Sequence, residues 1–244
     1  MQLKDVEPGN PDGRTAGPVI DRSMELFDDR LLEQRTHVDR MFAKLMLVQW
    51  MAAITMAALY SPGASAGAHQ QIDGSLTLAL LGGAALSVMP MLMVRLSPGS
   101  RASRQAIAVC QLLFSSLFIH LSGGRMETHL HVFVSLAWLG FYLDWRVLVT
   151  ATAMVAADHL LRGLFVPASA YMMVQASQWR LLAQVLWAVF EDVILAVACA
   201  SALRIIREGG DREAELERLL ESERNRSAVL DAALGELRTS SALV

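Results

Sequence analysis

The segment GGRMETHLHVFVSLAWLGFYLDWRVLVTATAMVAADHLLR, Gly123–Arg162, settles what kind of protein this is. Two apolar runs flank a Leu-Asp-Trp-Arg turn, and their background carries Glu127, His129, His131, Asp144, Asp158, His159 and Arg162. Apolar runs of this length read as membrane-spanning helices, in which ionisable groups are expensive to hold and are therefore functional-site candidates by default.

Composition agrees outward from that segment. Apolar residues make up 54% of the 244 and charged residues only 18%, with a mean hydropathy of +0.38, values of a bilayer protein. Charges crowd into residues 1 to 44 and 204 to 238. A net charge of -3 gives no electrostatic footprint for a nucleic-acid partner. Cys110 and Cys199 lie in separate apolar runs without a CxxC partner and read as buried small hydrophobes. The polar first 40 residues lead one to expect no cleavable signal peptide.

A helix needs about 20 residues to cross the hydrocarbon core, and on that measure the expected architecture is all-α with six spans. These are Met41 to Tyr60, Ser75 to Leu96, Gln105 to Leu121, Met126 to Leu143, Arg146 to Val166 and Leu181 to Arg204. Arg35, Arg40, Lys44, Arg95, Arg101, Arg104, Arg146, Arg204 and Arg207 fall on one side, and the alternate loops hold only Arg125, which predicts cytoplasmic termini. Before the bundle, residues 1–18 have the Pro- and Gly-rich composition of a disordered lead-in, and 19–40 repeat apolar residues at helical spacing. That helix suits a membrane surface or a helical partner equally. The bundle domain is expected over 41–208. Residues 209–244 form a cytoplasmic helix with Leu216, Leu219, Leu230, Ala233 and Leu237 at a/d spacing, a parallel homodimer seam weakened by Glu223 and Arg226, and Gly209-Gly210 reads as a flexible joint.

The spans bring chemistry together. Glu127 and His131 are four apart and share a helical face, with His129 pointing elsewhere; Asp158, His159 and Arg162 lie late in span 5. Glu191 and Asp192 lie about ten residues into span 6, ~16 Å deep. This predicts one pocket in the outer half of the bundle. Glu127, His131 and His159, with His120 or Glu191, would supply ligands for Zn, Cu or Fe, and His131 with His159 the axial pair of a haem. His129, Asp158, Arg162 and Asp192 are the candidate contacts of a polar ligand. The competing expectation is a hydrogen-bonding network, Asp158 with Arg162 and Glu127 with Arg125 or a histidine, that joins helices. His69 reads as a solvated loop histidine, and Asp144 as a helix cap.

The motifs HVDRMFAKLMLVQW, IHLSGGRMETHLHVF, FYLDWRVL, ADHLLRGLF and WAVFEDV resemble the N-terminal membrane input region of certain bacterial hybrid sensor histidine kinases, with kin in front of chemoreceptor and diguanylate cyclase modules. The resemblance covers about His37 to Glu208. Leu130 stands where the family has an aromatic residue, and the tryptophan expected near span 2 is missing. It implies a multi-pass protein of the bacterial inner membrane whose signal leaves through ERNRSAVLDAAL toward a cytoplasmic kinase or other output module, with no catalytic domain in these residues. A transporter or metal-handling membrane protein is the alternative. Against a transporter, spans 1 to 3 and 4 to 6 share no motif. An integral-membrane di-iron oxygenase would need histidine clusters of the HxxHH kind, and none occurs here.

Overall fold

The computed structural model describes residues 13–60, 74–165 and 178–241, and every element in them is helical. Helix α1 is Gly13–Tyr60, α2 Gly74–Thr77, α3 Gly83–Leu96, α4 Arg101–Leu121, α5 Met126–Leu139, α6 Trp145–Phe165 and α7 Gln178–Ser241. A π-helical turn, Leu78–Gly82, joins α2 to α3, and a 3-10 turn, Gly140–Tyr142, follows α5. His69 and most of the loop from Pro167 to Trp179 lie outside the described residues.

Four of these helices are long and apolar enough to cross a membrane, at Asp21–Tyr60, Gly74–Leu96, Arg101–Leu121 and Val185–Gly235. The other two expected spans are weaker for visible reasons. Helix α5 has only 14 residues, about 21 Å at 1.5 Å per residue, and α6 mixes Arg146, Asp158 and Arg162 into its apolar residues.

The chain divides into two compact units, Leu32–Ala202 and the remainder, Met1–Leu31 with Leu203–Val244. In the larger unit α4 is central, packed on α3, α5 and α6, and 67% of its apolar window is buried against 28% for Gly74–Leu96. Small and polar side chains fill many of the contacts: Ala53, Ala57, Ala79, Ala108, Ala151, Ala188, Ser87, Ser115 and Ser135 are buried, while Leu81, Leu96, Val48, Met51 and Leu161 face outward. Lipid is as apolar as leucine, so helices in a bilayer gain by close backbone approach and hydrogen bonding, and this inverted pattern follows. Trp50 illustrates the approach. Its indole donates to the Leu80 carbonyl at 3.2 Å and rests on Gly83, where a Cβ would come within 2.4 Å of the ring.

One end of this unit is fastened by a buried acid. Asp39 is 0% exposed and accepts from the Gly99 backbone N–H at 2.7 Å, the Ser103 hydroxyl at 2.9 Å and the Tyr142 hydroxyl at 2.7 Å. Tyr142 also stacks on Phe42, ring centroids 5.6 Å apart. Beside it Arg104 donates to the Gly99 carbonyl at 2.6 Å and to Asp144 Oδ2 at 3.0 Å, and Asp144 Oδ1 caps α6 through the Arg146 N–H at 3.1 Å. The cap expected of Asp144 is there. The chain turns into it through Leu143 at φ 51°, in the left-handed region.

In the smaller unit, the first part of α1 packs antiparallel on α7. Arg22 bonds Glu217 at 3.0 Å and Arg30 pairs with Glu213. The expected joint at Gly209-Gly210 is continuous helix. A Cβ on Gly210 would lie 3.2 Å from the Ser23 carbonyl, so this glycine serves close helix contact, and α7 passes through the pair without a break. Helix α1 runs without a break from Gly13 to Tyr60, through the position expected to separate a surface helix from span 1.

Candidate functional site

The functional candidates lie where α5 and α6 pack on α4. Helix α5 begins after Arg125, whose guanidinium donates to the Tyr60 hydroxyl at 2.9 Å and lies over that ring. The expected pairing of Arg125 with Glu127 is replaced by this contact. Glu127 occupies the first turn of α5 and is exposed, a position where a carboxylate gains from the helix dipole. His120, in the last turn of α4, is also exposed.

His129 and His131 point to opposite faces, as their spacing requires, but their roles are exchanged relative to expectation. His131 turns to α1 and α4. Its Nε2 accepts from Gln49 Nε2 at 3.2 Å and its Nδ1 meets the Ser115 hydroxyl at 2.8 Å, with the Phe118 ring edge-on at 4.9 Å. Both ring nitrogens are engaged by protein groups, which removes His131 from a shared pocket with His159. Gln111 donates to Ser135 at 3.0 Å, and Ser115 and Ser135 are 3.3 Å apart, extending this ladder along α4 and α5. Two i,i+4 polar pairs, Gln111 with Ser115 and His131 with Ser135, are the sequence signal that sequence reasoning passed over.

His129 is the imidazole that meets His159. Both are buried, 8% and 7% exposed, with ring centroids 6.3 Å apart. His129 Nδ1 lies 3.0 Å from the Arg125 carbonyl and His159 Nδ1 lies 2.9 Å from the Val155 carbonyl. A carbonyl only accepts, so both nitrogens carry the proton. Val132, Phe133, Val155 and Ala188 of α7 complete a small cavity between them.

On either side of His159 along α6, Asp158 and Arg162 form an ion pair at 2.9 Å, their side chains 23% and 13% exposed. Ser116 of α4 closes it. Its hydroxyl donates to Asp158 at 2.5 Å and accepts from Arg162, which also reaches the Ser116 carbonyl at 2.7 Å. Removing either partner of such a pair strands a buried charge, a loss of about 3–5 kcal/mol.

Glu191 and Asp192 are half-buried on α7, and each keeps one buried carboxylate oxygen without a hydrogen-bond partner. Glu191 lines an apolar groove with Phe133, Trp187, Phe190, Ile194 and Leu195. Phe133 borders both this groove and the histidine cavity.

The candidates thus divide into three sets: His131 with Gln49 and Ser115; His129 with His159, next to Asp158 and Arg162; and Glu191 in its groove. Glu127 and His120 join none of them. Among the described residues, no group of three or more His, Cys, Asp and Glu is placed to hold a metal ion, so the expected ligand set of Glu127, His131, His159, His120 and Glu191 does not converge.

No protein-family model, no curated protein and no solved structure matches this chain.

Proposed function

We propose that the chain is the membrane input module of a bacterial signalling protein. In this reading six helices cross the inner membrane with both termini in the cytoplasm, the signal acts on the polar residues of α4, α5 and α6, and α7 carries the response to an output module such as a histidine kinase. The single observation behind it is the Ser116-Asp158-Arg162 bridge, a charged crosslink between α4 and α6 inside apolar helices. Ionisable groups so placed commonly mark a ligand, ion or relay site. A transition metal ion or haem is the cofactor class the histidines suit.

Helix α7 supplies the route out. It continues as one helix from Gln178 to Ser241, and beyond Ala214 it exposes Leu216, Leu219, Leu220, Leu230, Leu234 and Leu237, side chains that a parallel homodimer would cover.

Cysteine chemistry in native membranes tests both parts. Cys110 and Cys199 are buried, so labelling reports an introduced thiol. A Ser222→Cys variant reacts with a membrane-impermeant maleimide only after the cytoplasm is opened. Leu230→Cys forms a disulfide between copies, and its rate of formation changes when Asp158→Asn is added. Labelling of Ser222→Cys in intact cells would overturn the topology; an unchanged cross-linking rate would overturn the sensory role.

A further inference from the structure

We propose that the groove between α5 and α7 binds a hydrophobic organic cation, an ammonium or phosphonium with an apolar body, through the carboxylate of Glu191 and the aromatic rings beside it. Helical spacing sets the site. Ala188, Leu195 and Cys199 hold α7 against α5 and the turn that follows it. Ala188 borders the small cavity with Val132 and Phe133, a Cβ on Gly140 would lie 3.3 Å from Leu195, and the Cys199 thiol donates to the Gly140 carbonyl at 3.3 Å. Glu191 comes three residues after Ala188 and four before Leu195, so it stands on the packed face of α7. Trp187, four residues before it, and Ile194, three after it, flank it on the same side.

The groove is apolar apart from this acid. Phe133 of α5 and Trp187, Phe190, Ile194 and Leu195 of α7 line a volume of about 610 Å³, with Glu191 the one ionisable residue among the described lining residues. That volume is within the ~300–1,000 Å³ of small-molecule sites. Trp187 and Phe190 are 61% and 56% exposed, and their rings meet edge-on with centroids 5.7 Å apart. A ligand arriving through the lipid reaches both rings directly.

Charge selects the occupant. Among the described residues no arginine, lysine or histidine forms an ion pair with Glu191, and one of its carboxylate oxygens is enclosed without a hydrogen-bond partner. Asp158 shows the opposite arrangement, an acid already answered by Arg162 and by the Ser116 hydroxyl. A carboxylate left unanswered in apolar surroundings is costly to hold and favours a cationic ligand. The negative faces of aromatic rings favour the same charge. A hydrated inorganic ion would find one carboxylate and then hydrophobic walls, whereas an organic cation satisfies both the acid and the walls.

This deepens the reading of the chain as an input module by naming a ligand class, and it rests on that reading only for its signalling consequence. The test uses the whole chain in lipid nanodiscs, with tetraphenylphosphonium as the probe, tetraphenylborate as the anion of the same shape, and empty nanodiscs to subtract partitioning into lipid. Equilibrium dialysis should show saturable binding of one tetraphenylphosphonium per chain and none of tetraphenylborate. Glu191→Gln, nearly unchanged in size, weakens binding at least ~10-fold, and Trp187→Ala weakens it ~3-fold or more. Glu127→Gln, exposed at the start of α5, leaves it unchanged. The charge comparison is made on the wild-type chain and does not depend on the folding of any variant. No saturable binding, binding that survives Glu191→Gln, an equal loss in Glu127→Gln, or tetraphenylborate bound as tightly would each overturn the site. Should tetraphenylphosphonium bind as expected while the Leu230→Cys cross-linking rate ignores it, the site stands and its sensory role falls. Should it fail to bind while cross-linking still responds to Asp158→Asn, the site falls and the sensory module stands.

Discussion

Two polar clusters sit along α4, and they differ in what surrounds their charges. Near its start, Ser103 donates to Asp39, which Tyr142 also bonds, and Arg104 donates to Asp144; the partners include turns, the Gly99 backbone and the cap of α6. Some 12 residues later, ~18 Å along the helix, Ser116 meets Asp158 and Arg162 on the regular part of α6, beside two imidazoles. The first cluster ties chain turns to helices. The second lies next to a small cavity lined by His129 and His159. Burial of charge is common to both, so burial alone does not separate a fastening from a binding site; what the groups leave available does.

That contrast can be tested by substitution, beginning where the largest loss is expected. Asp39→Ala strands three donors at once, Gly99 N–H, Ser103 and Tyr142. At about 1–3 kcal/mol for each unsatisfied group, the variant should lose about 4 kcal/mol or more of stability, read as the unfolding midpoint in detergent. A loss under ~1 kcal/mol would show the first cluster to be ornamental.

Asp158→Ala or Arg162→Ala should cost about 3 kcal/mol each, whereas the double variant should cost less than their sum because no lone charge remains. Additive losses would mean the pair is not coupled. In Gly83→Ala the new methyl meets Trp50, a clash of about 1–3 kcal/mol that a second change, Trp50→Ala, should relieve. His131→Ala removes bonds to Gln49 and Ser115 worth roughly 1 kcal/mol, and it should leave the His129–His159 pair untouched.

The smallest effect belongs to the contact between α1 and α7. A hydrogen bond from Arg22 holds the Glu217 carboxyl below its ordinary value of 4.5 on the exposed surface of α7. The sign follows from that direction: the pairing contributes above pH 4.5 and is lost as the pH falls through the lowered value. Between pH 6 and strongly acid solution, Glu217→Gln should therefore lose slightly less stability than wild type. An equal loss in the two proteins would remove this pair from the acid response.

Helix positions were legible because an apolar run of sufficient length leaves the backbone little choice in lipid. Most of the candidate side chains were legible too, since ionisable residues stand out there. Their grouping was not. The spacing of His129 and His131 places them on opposite faces, but nothing in a single helix says which face meets α6. Asp39 escaped notice because an acid among HVDRMF looks like any interfacial charge until Tyr142, 103 residues away, donates to it. Gly209-Gly210 looked like a hinge, because glycine weakens a free helix, whereas between packed helices it admits a close neighbour.

The sequence by itself determined that this chain is helical, that at least four of its helices can lie in a membrane, and that its ionisable residues within them are few. Those properties depend on local composition and on a solvent without hydrogen bonds. Which imidazole faces which, whether a carboxylate finds a cation, and whether a glycine bends or packs were decided by tertiary structure alone, because each depends on a partner supplied by another helix.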